Sequence, residues 1–391
     1  MFFLIGRVAW LAGLVYFVQG ALGIAGIALP LYLRAQGFSV TKIVFISSIS
    51  SIPWFFKIIY GAVSDAVPLW HLRRKPYLII CSLLSSFGWV LLGVLPPREH
   101  WLILSMMIAN LGLAATDVIT DGLIVEYSRR GTAQIYQSIS WGARSLGAVA
   151  SGVLGGVLAA QRTPQSIFLI TSLLPFISFL AALFLRERPR HHKMKLGNVL
   201  TPIFESISRI LHGELKWFLL LLLILSNSVA IGTPLFFYMR EILGFDEISL
   251  GVLSSVTWFG AVLGCFFFLN LFSRTSLRTA LLWAVGVGFM NILLTLMIKN
   301  YPSAFSISIV SGILGYLILL PLFSSAARLA HGTGVEGSLF AILMSIFNLG
   351  QAVASFWGGA LYEWMGLRFL IVLTAFLVLP AFWVIPRLKS L

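Results

Sequence analysis

The chain has 391 residues, of which 59% are hydrophobic and only 10% charged, and its mean hydropathy is +0.97. A soluble domain carries about a quarter charged residues, so a water-soluble enzyme is excluded and an all-α polytopic membrane protein is expected. Two cysteines, Cys81 and Cys265, both fall in apolar runs and offer neither a disulfide framework nor a metal site.

Runs of about 20 apolar residues, enough to cross the hydrocarbon layer, give twelve spans in chain order: 8–33, 41–62, 77–95, 101–125, 134–160, 165–185, 217–239, 249–271, 278–298, 303–326, 337–361 and 367–386. The first is too long and glycine-rich for a cleaved signal peptide, nothing resembling a transit sequence precedes it, and it is expected to stay as a helix. The polar stretch 186–216 divides the chain into halves of six spans, 1–185 and 217–391. It opens with a basic run and then turns amphipathic, with Thr201 and Pro202 at a helix start and Ile203, Ile207, Ile210 and Leu211 on one face. This predicts a helix lying at the membrane interface and tethering the halves.

Twelve spans put both termini on one side. That side holds 18 of the 27 lysines and arginines, the opposite loops hold seven, and Lys57 and Arg144 lie within spans. The positive-inside rule makes the richer side cytoplasmic. The net charge of +14 is mostly this bias, so it calls for membrane lipids on that face rather than a nucleic-acid partner. Short loops suit a bacterial inner membrane.

The halves look related. Leu146-Gly147 with Gly155-Gly156-Val157-Leu158 in the fifth span aligns without gaps to Leu349-Gly350 with Gly358-Gly359-Ala360-Leu361 in the eleventh, the fifth of its own half. Two repeated halves imply alternating access around a site at the midplane.

Four ionisable residues lie inside apolar spans: Lys57, Asp117, Asp121 and Arg144. Charges at such depth are costly and mark a pathway or a buried pair. At about 1.5 Å per helical residue, Lys57 and Asp121 fall at one depth and Asp117 and Arg144 at another. The expected pairs are Asp117 with Arg144 and Asp121 with Lys57. Asp117 and Asp121, four residues apart, share a helix face. These charges either neutralise one another or serve a substrate. Gln19 in the first span and Trp141 in the fifth are the polar and aromatic candidates beside them, with Tyr16, Asn227 and Tyr316 behind.

Gly61-Ala62-Val63-Ser64-Asp65 followed by Arg73-Arg74-Lys75-Pro76 resembles the signature loop of the major facilitator superfamily, which implies gating roles for Gly61, Asp65, Arg73 and Arg74. Glu126 and Glu336, at helix ends near basic loops, are further gating candidates. The wider pattern resembles the folate–biopterin transporter family. It is carried by Ile52-Pro53-Trp54-Phe55-Phe56-Lys57, by Asp117, Asp121 and Glu126, by Gln137, Trp141, Arg144 and Gly147, and by Glu336-Gly337-Ser338 through Asn348-Leu349-Gly350. One departure is Ile58, where the family usually has proline. The resemblance implies a twelve-helix carrier of the major facilitator fold for folate, biopterin or a related pteridine; some relatives are thought to carry other metabolites, including S-adenosylmethionine.

Folate's carboxylates suit a bidentate guanidinium, and a pterin's amide and amino donors suit a carboxylate. With no nucleotide-binding loop in the chain, protons are the expected energy source. No nucleophile–base constellation or metal-ligand cluster appears, so an enzyme and a cofactor are not expected.

Overall fold

A computed structural model describes residues 2–127, 133–187, 189, 201, 208, 212–272, 275–331 and 336–389. The interfacial helix expected within 186–216 lies largely outside the described residues. Among those described the chain is helical, its only extended pairing being an isolated bridge between Leu69 and Leu72.

Eleven helical stretches are long and apolar enough to cross a membrane. The last, Leu339–Arg387, has 49 residues, far more than the roughly 20 that one crossing needs. It is interrupted at Gly366, whose φ of 78° and ψ of 170° are non-helical. Only glycine takes this conformation without a Cβ clash. Gly366 falls between the eleventh and twelfth spans expected from the sequence; beyond it the helix runs to Val378 and is followed by the short turns Ala381–Val384 and Ile385–Arg387.

Three other spans are broken in places the hydropathy pattern does not show. The first narrows to a 3₁₀ turn at Leu22–Ile24, between Phe2–Ala21 and Ala25–Ala35. The second does so at Ile52–Phe56, where Pro53 has no N–H to continue the helix, and it resumes at Lys57. The seventh has its 3₁₀ turn at Asn227–Ile231, after Leu215–Ser226.

By internal packing the chain forms two compact units, Met1–Gly37 with Ile49–Leu200, and Phe38–Ser48 with Thr201–Leu391. In the second unit the start of the second span is held by the eleventh. Thr41 donates to the Glu363 carboxylate from its backbone N at 3.1 Å and its hydroxyl at 2.5 Å, and Ser48 Oγ donates to Ala352 O at 3.0 Å. The second span therefore contributes to both units.

Helix association in lipid relies on close packing of small residues, and the repeated glycines do equivalent work in each unit. A Cβ on Gly147 would lie 2.3 Å from Phe17 O in the first span, while one on Gly350 would meet Ser226 Oγ in the seventh at 2.4 Å. A Cβ on Gly155 would lie 2.7 Å from Ile24 O and one on Gly358 2.2 Å from Ala230 O, both acceptors belonging to the 3₁₀ breaks. Fifth packs on first as eleventh packs on seventh, which is what a duplicated half requires.

A contrast tests this. Gly358→Ala forces a Cβ into backbone and is expected to cost about 1 to 3 kcal/mol, as overpacking does. Gly315→Ala, with nothing within 4 Å, is expected to be neutral or to gain up to about 1 kcal/mol from helix propensity. Thermal unfolding in detergent checks both; equal effects would remove the close-approach argument.

Candidate functional site

The fourth span is a continuous helix, Glu99–Tyr127, and projects Asp117 and Asp121 from one face. Thr116 and Thr120 bond back to their own helix, at Gly112 O and Thr116 O. The first and fifth spans touch at backbone distance, since a Cβ on Gly20 would lie 2.0 Å from Arg144 O. That contact brings Tyr16 and Gln19 beside Trp141 and Arg144.

The result is one polar network inside the first unit. Lys57 Nζ lies 2.6 Å from Asp117 Oδ2, and Gln19 Nε2 donates to Asp117 Oδ1 at 2.7 Å. Tyr16 Oη donates to Asp121 Oδ1 at 2.5 Å. The Lys57 ammonium also sits 4.5 Å from the centroid of the Trp54 ring, whose Nε1 donates to Asn110 Oδ1 at 2.8 Å. Trp141 is 36% exposed and stands 6.2 Å from the Tyr16 ring, with the Arg144 guanidinium 5.2 Å over its face. Arg144 makes no hydrogen bond or ion pair with any described residue. Gln19 Oε1 is buried without a partner among them.

The structure joins the four charges differently from the pairs that depth suggests. Asp117 takes Lys57 and Asp121 takes the Tyr16 hydroxyl, while Arg144 is hydrogen-bonded to neither aspartate. Depth fixes height along the membrane normal and says nothing of direction around the helix. Lysine's four-carbon stem carries its ammonium about a turn away from its backbone, which lets Lys57 reach the deeper aspartate.

The signature loop forms a second cluster. Gly61 sits against Val118 of the fourth span. Arg74 is only 6% exposed and donates to Ser64 Oγ at 2.8 Å. Its guanidinium occupies the space that a side chain on Gly122 would need, 2.6 Å from that Cβ position. Glu187, which the sequence hid within a basic run, accepts backbone N–H bonds from Arg73, Arg74 and Lys75 at 2.8 to 3.1 Å. A carboxylate over the unpaired N–H groups of a helix start is favoured by their partial charge, here at Lys75–Val94. The signal available in sequence was an acidic residue just after the sixth span. The side chains of Asp65, Glu126 and Glu336 lie outside the described residues.

The second-unit candidates are engaged otherwise. Asn227 Nδ2 donates to Leu223 O at 2.8 Å within its own helix, and its Oδ1 accepts from Trp357 at 3.2 Å. Among the described residues no group of three or more His, Cys, Asp or Glu could hold a metal.

Comparison with known proteins decides the family. A match to the BT1 family runs over residues 19–378. The chain belongs to the BT1 family. Relatives include probable folate-biopterin transporter 4 of Arabidopsis thaliana, 25% identical over 92% of this chain and 89% of that one. The folate-biopterin transporter of Synechocystis sp. is 26% identical over 90% and 74% of the two chains. Folate transporter 1 of Plasmodium falciparum is 24% identical over 78% and 62%. Among solved structures, the nucleoside transporter NupG superposes with a TM-score of 0.78 at 14% identity over 99% of both chains. A POT family transporter in complex with 5-aminolevulinic acid gives 0.76 at 14% identity over 98% and 96%. These likenesses establish the fold. The BT1 chain is a multi-pass membrane transporter with the major facilitator fold, not an enzyme.

Proposed function

We propose that this BT1 protein moves a pteridine, either folate, biopterin or a related compound, across its membrane by alternating access and in symport with protons. The observation that carries the reading is the Arg144 guanidinium, unpaired among the described residues and laid over a part-exposed indole. An arginine at bilayer depth is expensive unless its donors are met, and a substrate carboxylate would meet donors that no described residue takes up. Trp141 beneath it offers a face on which a flat heterocycle stacks, and the relatives' names point to such substrates.

The two aspartates divide the remaining work. Asp117 has a cation at 2.6 Å and an amide donor to balance it, so it holds the site together. Among the described residues Asp121 is hydrogen-bonded by the neutral Tyr16 hydroxyl alone, one helical turn from another carboxylate. We assign the pterin's N–H donors and the coupling proton to Asp121. The clusters around Arg74 and Glu187 take the gating role, with both termini cytoplasmic and a bacterial inner membrane as the setting. The lysine and arginine bias and the short loops support that placement.

Uptake of labelled folate and biopterin into proteoliposomes, with and without an imposed pH gradient, tests the reading. Transport of neither, with uptake of another organic anion or of S-adenosylmethionine, overturns the pteridine assignment. Asp121→Asn is expected to lose accumulation driven by the pH gradient while keeping substrate exchange. If both fall together, the proton belongs elsewhere.

A further inference from the structure

We propose that Arg387, Lys216, Trp217 and Trp383 form a binding site for the phosphate headgroup of an anionic phospholipid, at the end of the second unit where the seventh span begins and the twelfth finishes. The Arg387 guanidinium carbon lies 3.4 Å from the centroid of the Trp383 ring and 4.0 Å from that of Trp217. The two indoles meet edge-on, 6.2 Å apart and at 86°. Lys216 adds a second cation, its Nζ 5.6 Å from the Trp217 ring.

This packing fixes the guanidinium against ring faces and does nothing for its N–H donors. Arg387 has five of them, none is bonded to a described residue, and Nη1 is buried without a partner. Other basic residues at span ends find acceptors within the protein. Arg240 pairs with Glu247, Lys75 Nζ donates to Leu183 O at 2.7 Å, and Arg74 donates to Ser64. Arg387 and Lys216 carry two charges with no carboxylate bonded to either among the described residues.

The missing acceptor is therefore an anion, and the surroundings say which kind. Trp383 is 64% exposed at a span end, where tryptophan marks the level of lipid headgroups. A phosphodiester at that level receives a guanidinium bidentately. An exposed indole beside it lies along the glycerol and upper acyl chains, a contact a free phosphate would not make.

The test uses the purified full chain in detergent, with thermal unfolding measured as phosphatidylglycerol, phosphatidylcholine or glycerol 3-phosphate is added. Phosphatidylglycerol is expected to raise the midpoint more than phosphatidylcholine, and the Arg387→Gln, Lys216→Gln double variant to lose that difference. Equal responses to the two lipids, or selectivity surviving in the double variant, would overturn the site. A shift reproduced by glycerol 3-phosphate would make it a soluble-phosphate site and overturn the lipid assignment. Should the double variant fail to fold, brominated lipids with the otherwise native chain decide. The fluorescence lost with Trp383→Phe must be quenched more by brominated phosphatidylglycerol than by brominated phosphatidylcholine, and equal quenching refutes the proposal.

Discussion

Arg144→Ala is expected to abolish folate uptake while leaving the protein folded, and to spare biopterin far more. Folate ends in carboxylates and biopterin has none, so the two substrates separate the loss of a carboxylate partner from general damage. Truncating one member of a buried, hydrogen-bonded charge pair costs about 2 to 5 kcal/mol, which lowers kcat/KM by roughly thirtyfold to over a thousandfold. Arg144→Lys keeps the charge and loses the planar fork, so it is expected to fall between. Stability should change less than transport, because Arg144 makes no hydrogen bond or ion pair with a described residue. Uptake of both substrates and thermal unfolding of the variants check this. Normal folate transport by Arg144→Ala, or equal loss of folate and biopterin, removes the carboxylate role.

The same geometry shows how far the sequence could be read. Twelve apolar runs and the four embedded charges needed only hydropathy, and the Gly147/Gly350 and Gly155/Gly358 pairs needed only internal alignment. The pairing of the charges could not be read. It depends on the direction in which Asp117, Asp121 and Arg144 leave their helices, which a sequence does not give. The 3₁₀ turns at Leu22–Ile24 and Asn227–Ile231 were also hidden. Neither contains a proline, and both coincide with glycine contacts from a helix more than a hundred residues away. Glu187 escaped because its neighbours are arginines, although its partners are backbone N–H groups.

Lys57→Ala tests the other half of the site, where the expected effect is on stability. Removing the lysine leaves Asp117, 5% exposed, as a buried carboxylate whose one remaining described donor is Gln19. Breaking a buried pair in this way costs about 3 to 5 kcal/mol. The lower end applies, because the Lys57 side chain keeps 19% exposure and water reaches its place. Neutralising the aspartate as well, in Lys57→Ala with Asp117→Asn, is expected to restore most of the lost stability, since an asparagine can still accept from Gln19 and strands no charge. The readouts are the unfolding midpoint and uptake. A pair that only neutralises itself predicts recovered stability together with measurable transport in the double variant. Recovered stability without transport would move Asp117 from scaffold to substrate contact. Transport that returns in this double variant, set against Asp121→Asn that no change at Lys57 rescues, would leave Asp121 as the aspartate that works on substrate and proton.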